Sequence, residues 1–92
     1  MMVVWTVTAK EDLRGQLEYI AQDDPEAARA MAVRIKASCG ALGQFSRVGR
    51  EGMVKGTREL VIPGSPYVCV YRVAQGRVEI LRLLHSRMMW PA

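Results

Sequence analysis

The stretch Gly56 to Pro91, GTRELVIPGSPYVCVYRVAQGRVEILRLLHSRMMWP, decides the fold. Leu60 to Ile62, Tyr67 to Val73 and Val78 to Leu84 are rich in β-branched and aromatic residues. Pro63-Gly64-Ser65-Pro66 and Gln75-Gly76 carry the turn chemistry between them. Connections this short join antiparallel neighbours, so the segment reads as a meander. Strict alternation places Tyr67, Cys69, Tyr71 and Val73 on one face and Val68, Val70 and Arg72 on the other. In the last strand it groups Val78, Ile80, Arg82 and Leu84 against Glu79, Leu81 and Leu83.

Working back from the meander, Gln44 to Gly56 reads as a glycine-punctuated loop bearing Arg47, Arg50 and Lys55. It matches no nucleotide-binding glycine pattern, and its basic side chains have the reach to touch phosphates or carboxylates. A plain surface connection is an equal reading. Before it, Ala28, Met31, Ala32, Ile35, Cys39 and Leu42 form one face of a helix over about Pro25 to Leu42. Asp24 suits its N-cap and Pro25 its first turn, where the missing N–H costs nothing. An earlier helix carries Leu13, Leu17, Ile20 and Ala21 on one face. Thr8-Ala9-Lys10-Glu11 fits a capping box, which predicts a start at about Ala9. The tight Asp23-Asp24-Pro25 junction predicts an antiparallel helix pair. Val3 to Val7 is a strand candidate that joins the meander as an extra member, with Trp5 packed in the interior.

Ninety-two residues, half of them hydrophobic and about a quarter charged, make one folded domain spanning 1–92. The order strand, helix, helix, three strands predicts an α+β fold: a small, largely antiparallel four-stranded sheet with a helix hairpin on one face. Two helices cover only one side of such a sheet, so the other is expected to expose an apolar patch fringed by arginines, suited to a protein partner.

Net charge is +4, unevenly spread. Residues 1–46 carry five Lys/Arg and six Asp/Glu, and residues 47–92 carry eight and three. The second half therefore presents an anion-seeking surface, or simply a basic solvated face. Cys39 and Cys69 lack metal-ligand spacing and read as buried free thiols in a reducing cytosol, with a disulfide the minor alternative. Neither a signal peptide nor a membrane span is legible, so a cytoplasmic location is expected. His85, the single histidine, has no companions for a metal site and no convincing nucleophile for a triad. Beside Arg87 it could serve RNA cleavage as proton donor with a charge stabiliser, or it could pack the tail with Trp90.

Arg58-Glu59-Leu60, Pro66-Tyr67 leading to Tyr71-Arg72-Val73, Ile80-Leu81, then His85-Ser86-Arg87 and Trp90-Pro91, in that order and spacing, resemble the RelE/ParE superfamily of bacterial toxins. The resemblance covers nearly the whole chain and implies the fold just described. It further implies a toxin of a two-gene toxin–antitoxin module, restrained by an antitoxin whose acidic, partly disordered C-terminal segment wraps it, in a higher-order complex. Two activities are implied by different branches. Ribosome-dependent nucleases of the superfamily carry an arginine just after the tyrosine that opens the third strand, where this chain has Val68, and some carry a lysine pair where it has Leu60, Val61 and Ile62. The chain also ends at Ala92, with little room for their terminal aromatic acid-base group. The ParE-like branch, which poisons DNA gyrase without catalytic residues, is the closer resemblance. The residues expected to meet target or antitoxin are Arg50, Lys55, Arg58, Val68, Val70, Arg72, Arg82, His85, Arg87 and Trp90; a nuclease acting on ribosome-bound messenger would use Arg58, Arg72, His85 and Arg87. A module that binds its antitoxin without toxicity is the third reading. No cofactor or metal is expected.

Overall fold

The computed structural model describes residues 1–88, so Trp90 and the last residues of the expected tail lie outside the described part. Strand β1 (Met2–Trp5) leads into helices α1 (Val7–Ala21) and α2 (Pro25–Ala41), followed by β2 (Arg50–Glu51), β3 (Arg58–Val61), β4 (Tyr67–Ala74) and β5 (Arg77–His85). The sheet order is β1-β5-β4-β3-β2, with β1 parallel to β5 and every other pair antiparallel. The α+β class stands as expected, with a fifth strand. Within the segment read as a loop, Arg50 and Glu51 pair with Glu59 and Arg58, and β3 begins two residues before Leu60. Two residues are too short for any periodicity to reveal.

The β4–β5 turn follows its sequence closely. Gln75 and Gly76 both take positive φ, 55° and 73°, the mirror-image turn whose twist matches a two-residue hairpin. Further along, β5 departs from strict alternation. Val70 pairs with Arg82 but Tyr71 pairs with Ile80, so Leu81 is an extra residue, a β-bulge. The expected faces of β5 are corrected accordingly. Val78, Ile80 and Leu83 all enter the core with Tyr67, Cys69 and Tyr71, while Leu84 stands on the outer face, where the alternation of β4 places Val68 and Val70.

The helix pair closes the inner face. Ala9, Ile35, Cys39 and Leu42 are fully buried against the sheet, with Trp5, Leu13, Ile20 and Met31 packed around them. Asp24 caps α2 through Ala27 N–H at 3.1 Å, ahead of Pro25, as the sequence indicates. The start of α1 differs. Its N-cap is Thr6, whose hydroxyl accepts from Ala9 N–H, and the expected box at Thr8 and Glu11 is not formed. The reason is tertiary: Thr6 makes the last rung with β5, its N–H and its hydroxyl both donating to Ile80 O at 3.1 and 2.8 Å, and the chain turns into helix there. Val7, assigned to the strand by its β-branch, is helical and 73% exposed.

Where β1 stops, the edge of β5 is completed by a side chain. Asp12 of α1 accepts the Leu83 N–H at 3.0 Å and the Arg82 guanidinium at 2.8 and 3.2 Å. A carboxylate thus replaces the missing strand and blocks further pairing at this edge. Cys39 and Cys69 are both buried and free, and their hydrogen bond together with burial holds the Cys69 thiol well above its ordinary value. They pack as neutral small groups between α2 and β4.

The outer face is not the exposed apolar patch anticipated. Val70 and Leu84 at its centre are buried, and arginine–carboxylate pairs cross it from strand to strand. Glu79 accepts from Arg72 Nε at 2.6 Å and from Arg77 Nη2 at 3.1 Å. The Arg72 hydrogen bond chiefly holds its carboxyl below the usual range, against partial desolvation and with help from the charges of Arg72 and Arg77.

Three outcomes follow for stability. Asp12→Ala should lower it by roughly 2–3 kcal/mol in urea unfolding, because Leu83 N–H loses its acceptor in a half-buried site. Glu18→Ala, which removes a partner from the exposed Arg14–Glu18 pair, should stay within about 0.5 kcal/mol. A depressed folded-state pKa stabilises above the ordinary glutamate value of about 4.3 and loses that contribution as pH falls through the lower folded value. Glu79→Gln should therefore flatten the acid limb of the stability profile below about pH 5, measured as the urea midpoint against pH.

Candidate functional site: a groove on the outer sheet face

Three strands build the floor of a groove. Val68 and Val70 of β4 lie beside Leu84 of β5, and Glu59 of β3 sits directly opposite Val70 in the register. Arg50 and Met53 form one wall, and His85, Ser86 and Met88 the other. The floor is apolar because three β-branched or leucine side chains point the same way from paired strands.

Glu59 organises the first wall. One of its carboxylate oxygens accepts from Arg50 Nε and Nη2 at 3.2 and 3.0 Å, and the other from Met53 N–H at 3.3 Å. Its side chain is only 11% exposed, so the fork is held in a partly desolvated place and fixes the β2–β3 connection over the groove. The segment entering β2 is held from the opposite face of the sheet. Buried Tyr71 donates its hydroxyl to Ser46 O at 2.8 Å and accepts from Gly49 N–H at 2.9 Å. Burial raises the Tyr71 pKa, the Gly49 bond and the Arg58 charge offsetting part of this, so the group stays a donor. Only glycine fits at 49, since a Cβ there would stand 2.7 Å from that hydroxyl and 2.9 Å from Glu59 O.

The second wall is the turn after β5. Ser86 N–H donates to Pro66 O, Met88 N–H to His85 O, and Arg87 N–H to His85 Nδ1 at 3.2 Å. His85 is half-buried, its ring edge-on to Tyr67 with centroids 5.7 Å apart. Packing of His85 against the sheet is thus present, whereas Trp90 lies outside the described residues.

The residues singled out from sequence divide into three places. Arg50, Val68, Val70 and His85 line the groove, with Arg87 exposed on its rim turn. Arg72 lies farther along the same face, bound to Glu79, and Arg82 is bound to Asp12. Arg58 and Lys55 lie at the loop end of the sheet, where Arg58 Nη1 donates to Gly49 O and Arg47 O at 2.7 and 3.3 Å. Arg58 is paired with Tyr71 and therefore projects from the face opposite to Arg72. His85 pairs with Tyr67 at the far end of β4, five residues from Arg72, a span of about 17 Å. The structure does not gather Arg58, Arg72, His85 and Arg87 into one constellation.

The sequence reading gave no binding or pairing role to Glu59, which it named only within the Arg58-Glu59-Leu60 motif, to Glu79, which it only assigned to a strand face, or to Asp12. A signal was present: each of the first two is a lone acidic residue in a strand whose other charged residues are arginines, the pattern of cross-strand ion pairs. Asp12 carried no such signal, because its partners lie about 70 residues away.

Comparison with known proteins agrees with this architecture. Residues 3–90 match the family described as ParE toxin of type II toxin–antitoxin system, parDE. A putative toxin of Sinorhizobium fredii, Y4kP, is 40% identical over 87 residues, covering 95% of this chain and 90% of that protein. Toxin RelE2 of Caulobacter vibrioides is 39% identical over 84 residues, covering 91% and 93%. Among solved structures, the chromosomal ParDE system of P. aeruginosa superposes with a TM-score of 0.84 at 28% identity, over 92% of this chain and 95% of that one. The RelBE2 toxin–antitoxin complex of Mycobacterium tuberculosis gives 0.60 at 27% identity, over 91% and 88%. With this fold, this strand order and a family match across nearly its whole length, the chain belongs to the ParE toxin family of type II toxin–antitoxin systems.

Proposed function

We propose that this toxin inhibits growth by binding, with DNA gyrase as its target and a cognate antitoxin as its restraint. The observation that carries the reading is the groove floored by Val68, Val70 and Leu84, walled by Arg50 on one side and His85 and Met88 on the other. The apolar surface the groove leaves open is that of Met53, Met88 and half-buried Val68, above buried Val70 and Leu84, and with Arg50 at its margin it suits a protein segment that buries side chains and offers carboxylates at its edge. An acidic antitoxin segment that orders on binding has that composition, and its carboxylates would take over from Glu59 on Arg50. The arginines a nuclease would use together do not converge: Arg72 is bound to Glu79, and Arg58 projects from the opposite face, away from His85 and Arg87. The ParE family match and the higher TM-score with a ParDE toxin support the same branch.

The alternative, a ribosome-dependent endoribonuclease, draws on one contact, the Arg87 N–H to His85 Nδ1 bond that sets the two side by side. Pure toxin added to cell-free translation separates the readings. The expected result is an intact labelled messenger, together with accumulation of cleaved DNA when the toxin is given to gyrase and supercoiled plasmid. Cleavage within codons, lost on Arg87→Ala, would establish the nuclease instead. Growth unaffected by strong induction would indicate a module that only binds its antitoxin.

Val68 is half-buried on the groove floor, so Val68→Glu tolerates folding while placing a charge where a partner's apolar group docks. It should raise the toxin concentration needed for gyrase inhibition about tenfold or more, a loss of roughly 1.4 kcal/mol. Cognate antitoxin at about a hundredfold over its Kd should stabilise the wild type by roughly 2.7 kcal/mol in thermal unfolding, and Val68→Glu should reduce that gain.

A further inference from the structure

The basic excess of the second half is not spread evenly over the structure. Of its eight cationic residues, four are matched by carboxylates among the described residues: Arg50 with Glu59, Arg72 and Arg77 with Glu79, and Arg82 with Asp12. Those pairs neutralise much of the outer face. Arg47, Lys55 and Arg58 have no carboxylate within ion-pair distance among the described residues, and they meet at the loop end of the sheet.

Two adjoining hollows share Arg58 and Gly56 there, one reaching Ser46 and Arg47, the other Lys55. Among the described residues Glu51 is the single carboxylate lining either, which leaves a local charge of +2. The site is built rather than loose. Arg58 is oriented by the Gly49 and Arg47 carbonyls through Nη1 alone, leaving the rest of its donor fork without a hydrogen bond among the described residues. The Ser46 to Gly49 segment that supplies those carbonyls is clamped by the Tyr71 hydroxyl. Gly56, at φ +85°, has open space where a Cβ would stand, so a bulky anion can come close to the backbone.

We infer that this loop end is a second binding surface, distinct from the groove, which takes the phosphodiester backbone of nucleic acid on Arg47, Lys55 and Arg58. A polyanion is favoured over an acidic protein segment because the hollows offer cationic donors with little apolar floor, Val73 alone contributing a large apolar side chain. A protein segment that orders on binding needs apolar burial to offset its entropy, and a phosphate chain gains instead by releasing counterions. Phe45, 62% exposed two residues before Arg47, adds an aromatic face on which a base can stack. The inference does not depend on gyrase being the target, since it concerns contact with nucleic acid alone.

The test is fluorescence anisotropy of pure toxin with two labelled 20-mers, a DNA duplex and a single-stranded RNA, across a salt series. Binding should weaken with salt along a log–log slope of about 2 to 3, as expected for two or three phosphates neutralised. Arg47→Gln with Lys55→Gln should weaken it about tenfold or more at 50 mM salt and lower the slope by nearly 2. Arg14→Gln with Arg29→Gln, an equal loss of charge on the helices, should change affinity less than about twofold. Both loop side chains are exposed, so the melting temperature should hold, and Arg47→Lys with Lys55→Arg should retain binding. Tighter binding of one probe identifies the natural source, DNA or RNA. No binding of either at about 100 μM and 50 mM salt, or binding that the loop substitutions leave unchanged, would overturn the inference.

Discussion

The single extra residue at Leu81 is the constraint on which most of this fold depends. A strand with strict alternation puts Ile80 and Leu83 on opposite faces, and one of them would leave the core. The bulge lets both point at the helices, and with Val78 they supply the β5 share of the interior. It also reverses the sense of the strand's last half, so that Leu84 floors the outer groove and Arg82 stands opposite Val70 on the outer face instead of entering the helix-covered one. Core, groove and helix docking are therefore coupled through one irregular step in the longest strand pair.

Charge follows the same architecture. The sheet positions Glu59 and Glu79 to neutralise arginines across strands, which turns a face that composition alone marks as basic into one with alternating signs. Such pairs contribute little to stability when exposed, but here the carboxylates are mostly covered, and they fix where the arginine side chains lie. Of the four cationic residues of the second half left without a carboxylate among the described residues, three gather at the loop end, where Tyr71 braces the backbone from within the core, and Arg87 stands at the groove rim. One buried hydroxyl thus joins interior packing to the geometry of a surface loop.

The groove and the loop end differ in chemistry as well as place. The groove offers apolar burial with arginine at its margin, which suits a folding peptide segment or a protein target. The loop end offers cations on a braced backbone, which suits phosphate. Separating the two lets a toxin engage a protein through one surface while the other remains available, an arrangement compatible with a target that is itself bound to nucleic acid.

The chain by itself determined the elements that rest on local chemistry: the Asp24-Pro25 helix start, the Gln75-Gly76 hairpin, the apolar stripe of α2 and the two faces of β4 all stand where their residues place them. Family membership was legible for the same reason, since order and spacing are sequence properties. Tertiary structure alone decided the rest. The start of α1 at Thr6 depends on a carbonyl 74 residues away, the bulge at Leu81 on the pairing with β4, and the quenching of Arg72 and Arg82 on Glu79 and Asp12 being brought beside them. Half of the groove was named from sequence, as Val68, Val70, Arg50 and His85, while Glu59 and Met53 were not. Periodicity reports which face a side chain takes; which partner waits on that face is set by contacts between distant segments, and no local pattern encodes them.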